Sequence, residues 1–242
     1  VETLSQYSAL MVMEEAYGRK KMKRFLEYEL DQYLTGRAQE ARQENPLIDV
    51  TTGQSYIHYR KGSLVLYALK DYLGEDTVNG VLRDFLNEHK FEEPPFVTSE
   101  ALVERFETAA PDSLQPFVGD LFRRITLYEN RALDATYSET EEGRYRVDVA
   151  VQAEKVVADS LGSETADTLR TPLAIGVFAE DAEVGAEEQT TLYLQKHDID
   201  GRRDTISVTV DEKPARAGID PFVTLIDRDT GDNMTGVSAA SE

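Results

Sequence analysis

The chain has 242 residues, 26 Lys and Arg against 46 Asp and Glu for a formal charge of −20, three His and no Cys. The missing thiols exclude disulfide frameworks and thiolate metal sites, and the acid surplus, densest between Glu139 and Glu188 with thirteen acidic residues against four basic ones, repels a phosphate backbone and argues against a nucleic-acid partner. A 40% hydrophobic content can bury a core in one large or two small domains, while charge-free runs such as Gly62 to Leu69 and Thr171 to Ala179 fall far short of the roughly 18 apolar residues of a spanning helix, so a soluble piece is expected.

Helical periodicity runs from Leu4 to about Tyr128 and predicts five or six helices. The first spans about Glu2 to Tyr17 and closes on Gly18. In the second, Met22, Phe25, Leu26, Leu30 and Tyr33 form one apolar stripe, and the helix should end near Gly36. A polar connection through Asn45 and Pro46 leads to a third, about Ser55 to Leu73, whose apolar centre Leu64 to Leu69 should be buried on all sides. A fourth covers about Asp76 to His89 and stops before Pro94 and Pro95. Ser99 caps a fifth that runs to about Ala109, and Asp112 opens a short sixth around Leu114 to Ile125.

Beyond Asn130 the period falls to two, with Tyr145, Val147, Val149 and Val151 alternating against polar or small residues. Further strands are predicted at Ala132 to Ser138, Pro172 to Ala179, Thr190 to Lys196 and Thr205 to Val210. Asp200-Gly201 signals a hairpin between the last two, Gly162 to Leu169 reads as a polar loop, and the tail from Gly231 should fray. The expected organisation is therefore α+β: a helical domain over 1–129, an antiparallel sandwich over 130–230 and a flexible tail over 231–242. Each half has its own apolar face, so the two should form separate compact units.

Two segments carry a chemical signal. Glu2 opens Glu2-Thr3-Leu4-Ser5-Gln6-Tyr7-Ser8-Ala9-Leu10, where a carboxylate in a first helical turn suits the helix dipole. Tyr59-Arg60-Lys61-Gly62 begins the apolar third helix, where Gly62 permits close helix packing. His58, His89 and His197 fall on different predicted elements with no i, i+4 partner, which suits solvent or structural roles; His58, beside Tyr59, is the one with a prospect of facing a cleft. The basic run Arg19 to Arg24 reads as a solvated helix end, with an anionic membrane surface as the lesser alternative. Asp198 to Gly201 and Asp227 to Asp232 lack the full ligand pattern of a calcium loop and read as turns.

In this order, 57 positions apart from Glu2 to Tyr59, the two segments resemble the part of a gluzincin aminopeptidase, the aminopeptidase N-like zinc family, that follows its H-E-x-x-H helix. The resemblance makes Glu2 the third zinc ligand and Tyr59 the residue that stabilises the transition state. Val1, Thr3 and Leu4 depart from the commonest family residues, in the manner of a bacterial branch in which a transporter-permease-like membrane portion precedes the peptidase. Met11-Val12-Met13-Glu14, Ile219-Asp220-Pro221 and Leu225 to Arg228 also resemble that branch.

The resemblance implies the distal half of a thermolysin-like catalytic domain followed by an immunoglobulin-like sandwich. It also implies a zinc-dependent parent that removes N-terminal residues from peptides and is associated with a bacterial inner membrane. The chain opens at Val1 inside a helix, as an excised fragment would. Two zinc-binding His and the general-base Glu would precede Val1, so the fragment itself is expected to be inactive and to bind no zinc. Its partners would be the missing N-terminal portion, a peptide substrate in the parent and, through exposed surface on the first helix, a second copy. The alternative is a non-catalytic interaction module of a membrane transport protein that keeps only the peptidase fold.

Overall fold

The computed structural model describes residues 1–179 and 190–240. Six α-helices come first: α1 (Glu2–Tyr17), α2 (Met22–Ala38), α3 (Gly62–Leu73), α4 (Glu75–His89), α5 (Ser99–Ala109) and α6 (Gln115–Phe122). The strands follow as β1 (Ile125–Glu139), β2 (Tyr145–Ala158), β3 (Glu164–Asp167), β4 (Leu173–Phe178), β5 (Thr191–His197), β6 (Arg203–Val210), β7 (Arg216–Ile219), β8 (Met234–Gly236) and β9 (Ser238–Ala239). The fold is α+β, with no strand among the helices. Among the described residues no helix is long and apolar enough to cross a membrane.

Two compact units divide the chain: Val1–Ala16, Arg24–Thr126 and Val157–Thr165 form one, and Tyr17–Lys23, Leu127–Val156 and Ala166–Glu242 form the other. The main division falls after Thr126. It also shows two excursions that periodicity alone did not reveal, because grouping depends on contacts between residues distant in sequence.

In the helical unit, Leu26, Leu30 and Tyr33 are buried along one face of α2, and Leu64 to Leu69 of α3 are buried without interruption. The segment expected as the start of a single third helix is a π-helical turn, Tyr56–Lys61, that runs into α3. Such widened turns displace side chains from the α-helical register and occur often at functional sites. Gly74 ends α3 at φ +88°, a conformation that costs little only for glycine.

A buried polar node ties this unit together. Glu44, 4% exposed, accepts hydrogen bonds from the Tyr33 hydroxyl at 2.6 Å and from Arg37 Nε at 2.7 Å. Its backbone N–H donates to the Ser160 carbonyl at 2.8 Å, and Arg37 also pairs with Glu164 at 3.3 Å. Lys61 lies within the same node, 1% exposed, its Nζ 3.9 Å from Glu44 Oε1 and 5.5 Å from the centroid of the Tyr33 ring. Burial outweighs the Glu44 charge and lowers the Lys61 ammonium from 10.5 to about 8.

A depressed folded-state value means that Lys61 costs stability while it is charged. Its favourable contribution is present above 10.5 and is lost as pH falls through about 8. Lys61→Met should therefore be more stable than the wild type at pH 7, by roughly 1 to 4 kcal/mol. The gain should shrink as pH rises from about 8 to 10.5, as read from denaturant midpoints of both proteins across that range.

In the other unit one sheet has the order β3-β2-β1-β9 with β6 also paired to β2, and a second has the order β5-β4-β7-β8. Val147, Val149 and Val151 of β2 are buried, as their alternation requires, and β6 runs antiparallel to β2 with Val147 opposite Val208. Three expectations are corrected here. Asp200-Gly201 makes a bend, with Gly201 at φ +72°, but β5 and β6 belong to different sheets and form no hairpin. The expected loop at Gly162 to Leu169 contains β3, since Asp159 Oδ1 accepts from the Leu161 and Ser163 N–H groups and turns the chain back along β2. The expected frayed tail is paired within its described part, its last two residues lying outside the described residues: β8 lies antiparallel to β7, and β9 parallel to β1.

Close approach explains the β7–β8 edge. A Cβ on Gly218 would lie 2.0 Å from the Asn233 carbonyl oxygen, so only glycine fits there. Nearby, Asp227 is buried, its carboxylate accepting from the N–H groups of Asn130 and Asp229. Burial pushes its carboxyl up to about 7.

Candidate active site

The site is built where α1 begins. Thr3 Oγ1 donates to the His58 carbonyl at 2.6 Å, which lays the first turn of α1 against the π-helical turn. Gly62 makes the approach possible: a Cβ there would stand 2.5 Å from Thr3 Oγ1 and 2.7 Å from its Cγ2. Gly62→Ala should destabilise the helical unit by roughly 1 to 3 kcal/mol. Thr3→Ala in the same chain should recover part of the loss by making room, measured as a double-mutant cycle in denaturant.

The four residues of Tyr59-Arg60-Lys61-Gly62 are placed differently. Arg60 NH1 lies 3.1 Å from both carboxylate oxygens of the buried Glu29, which also accepts from Gln6 Nε2 of α1 at 2.8 Å. Lys61 is sealed in the Glu44 node and Gly62 abuts Thr3. Tyr59 alone is turned outward, 40% exposed, its ring 4.8 Å from the His58 ring. The turn is thus clamped on three sides while its phenol, an O–H donor, stays exposed.

Glu2, in the first turn of α1, is also partly exposed. Its carboxyl is held below the ordinary range, first by its own backbone N–H and then by the nearby terminal ammonium and His58. Its Oε2 is 3.9 Å from His58 Nδ1. Beside these residues opens a cavity of about 480 Å³, lined by Glu2, Thr3 and His58 and by apolar side chains such as Leu47, Phe85 and Leu102. Tyr59 is not one of its lining residues. His58 therefore faces the cleft, whereas His89 meets Glu92 at 3.0 Å and His197 meets the Tyr193 hydroxyl at 2.7 Å.

Among the described residues no group of three or more His, Cys, Asp or Glu side chains is arranged to hold a metal ion. Glu2 is one anionic oxygen donor of the kind zinc accepts, but the residues present do not by themselves make a zinc site, which takes three or four protein ligands. The clamps on the turn were not foreseen. Glu29 and Glu44 look like ordinary helix and loop acids, and no spacing in the sequence connects them to Arg60 and Lys61.

The chain matches no known family model, and no curated protein matches it.

Proposed function

We propose that the chain is the C-terminal portion of a zinc-dependent aminopeptidase that hydrolyses N-terminal residues from peptides, with Glu2 one ligand of the zinc and Tyr59 a transition-state donor. On this reading the helical unit is the distal half of a thermolysin-like catalytic domain and the strands form an immunoglobulin-like sandwich. The parent is a bacterial inner-membrane protein whose preceding segment brings the H-E-x-x-H helix. When bound, the zinc acidifies a water molecule and polarises the peptide carbonyl.

The observation that carries the reading is the joint placement of the two motifs. The first turn of α1 is bonded to the very turn on which Tyr59 is exposed, through Thr3 and His58, across a gap of 55 positions. A pair of unrelated helix starts has no reason to meet, and the clamping of Arg60, Lys61 and Gly62 around a free phenol suits a donor that must not move during the reaction.

The parent tests it. Its sequence before Val1 should contain H-E-x-x-H, and the zinc-loaded protein should release N-terminal residues from peptides and lose that activity on chelation. The 242-residue chain alone should release none, because the general base and two of the ligands are absent. An upstream sequence without the motif would leave a non-catalytic module of a transport protein. The chain alone should also self-associate through α1, where Val12 is two-thirds exposed, and a monomer at high concentration in analytical ultracentrifugation would remove that expectation.

A further inference from the structure

Glu2 and Tyr59 are both partly exposed, and an exposed carboxylate on a first helical turn samples several rotamers. A misplacement of about 1 Å can cost about 10²-fold in rate, so something must bias the pair. We propose that His58 is the positioning residue of this site: it stands between Glu2 and Tyr59 and holds the carboxylate and the phenol ring in one arrangement. The inference rests on the aminopeptidase reading for its consequence, but its geometry belongs to this chain alone.

Three contacts converge on His58. Nδ1 faces Glu2 Oε2 at 3.9 Å, within ion-pair range. The imidazole lies against the Tyr59 ring at 4.8 Å, tilted by 37°. The His58 carbonyl accepts the Thr3 hydroxyl, so the backbone beneath the ring is tied to the residue that follows Glu2. The ring lines the cavity, its side chain only 16% exposed, and Nε2 is buried without a hydrogen-bond partner. An N–H at that buried position would go unsatisfied. Nδ1 is the ring nitrogen that faces an acceptor, and a proton carried there points the donor at Glu2.

Two measurements test this. In the 242-residue chain, long-range proton–nitrogen spectra of the ring should show the Nδ1–H tautomer for His58, and Glu2→Ala should move it towards Nε2–H. Ring nitrogen shifts unchanged by Glu2→Ala would overturn the proposal. In the parent, His58→Phe keeps an aromatic ring against Tyr59 but has no donor, and should lower kcat by about 10-fold or more with KM little changed. His58→Asn, whose amide nitrogen sits near the position of Nδ1, should restore most of it, while a merely space-filling role predicts the reverse order. Equal melting temperatures of the two variants ensure that folding is not what is read, and wild-type kcat in His58→Phe would also sink the proposal. A parent without zinc-dependent activity would instead remove the aminopeptidase reading. The ring spectra would then decide alone whether His58 directs Glu2.

Discussion

Tyr59→Phe in the zinc-loaded parent should lower kcat by about 10²-fold or more while leaving KM nearly unchanged, as expected for a donor used mainly in the transition state. The substitution removes one oxygen and nothing else. The ring of Tyr59 would keep its place against His58, the turn would remain clamped through Arg60 to Glu29 and through Lys61 to the Glu44 node, and the Gly62 contact with Thr3 would be untouched. Because the side chain is substantially exposed, its hydroxyl satisfies no buried acceptor and folding stability should not change by more than about 0.5 kcal/mol. Steady-state kinetics together with a melting curve separate the two effects. A fall in stability with kcat intact would make Tyr59 a packing residue, and the proposed catalytic assignment would go with it.

Glu44→Ala should be the most damaging substitution for folding, with a loss of about 3 to 5 kcal/mol, the usual consequence of removing one partner from a buried ionic group. Three groups depend on that carboxylate: the Tyr33 hydroxyl, the Arg37 guanidinium and the Lys61 ammonium. Tyr33 is fully buried and Lys61 nearly so, so neither can turn to water when its partner is gone. Glu44→Gln should cost less, since the amide oxygen can still accept from Tyr33 and only the charge is lost. Lys61→Met added to Glu44→Ala should recover part of the deficit by removing the stranded cation, a non-additivity that a double-mutant cycle in denaturant would report. A cost below about 1 kcal/mol for Glu44→Ala would mean that the node is solvated on the time scale of folding.

The local elements follow from the sequence because their causes are local. Of the stripe Met22, Phe25, Leu26, Leu30 and Tyr33 all but the half-buried Phe25 are buried, as is the apolar run Leu64 to Leu69, and the alternation of Val147, Val149 and Val151 marks the inward face of β2. Glu2 and Tyr59 stand out by residue type and order, and the switch of period near Asn130 announces a second unit.

What needed tertiary structure is everything that depends on a partner far along the chain. Asp200-Gly201 encodes a bend but not which strand receives β6, because backbone donors and acceptors are alike in every strand and the pairing is chosen by the apolar face each strand must cover. β8 and β9 are three and two residues long, too short for a period to show, and exist only because β7 and β1 supply their hydrogen bonds. The pairing of Arg60 with Glu29 and of Lys61 with Glu44 involves acids whose distance in sequence conceals their proximity in space. The meeting of Thr3 with His58 and Gly62 belongs to the same class: a hydroxyl, a carbonyl and a missing side chain carry no pattern until the fold brings them within 3 Å. Residue types thus determined the elements and nominated the site, while long-range packing alone decided which of its side chains is held and which is left exposed.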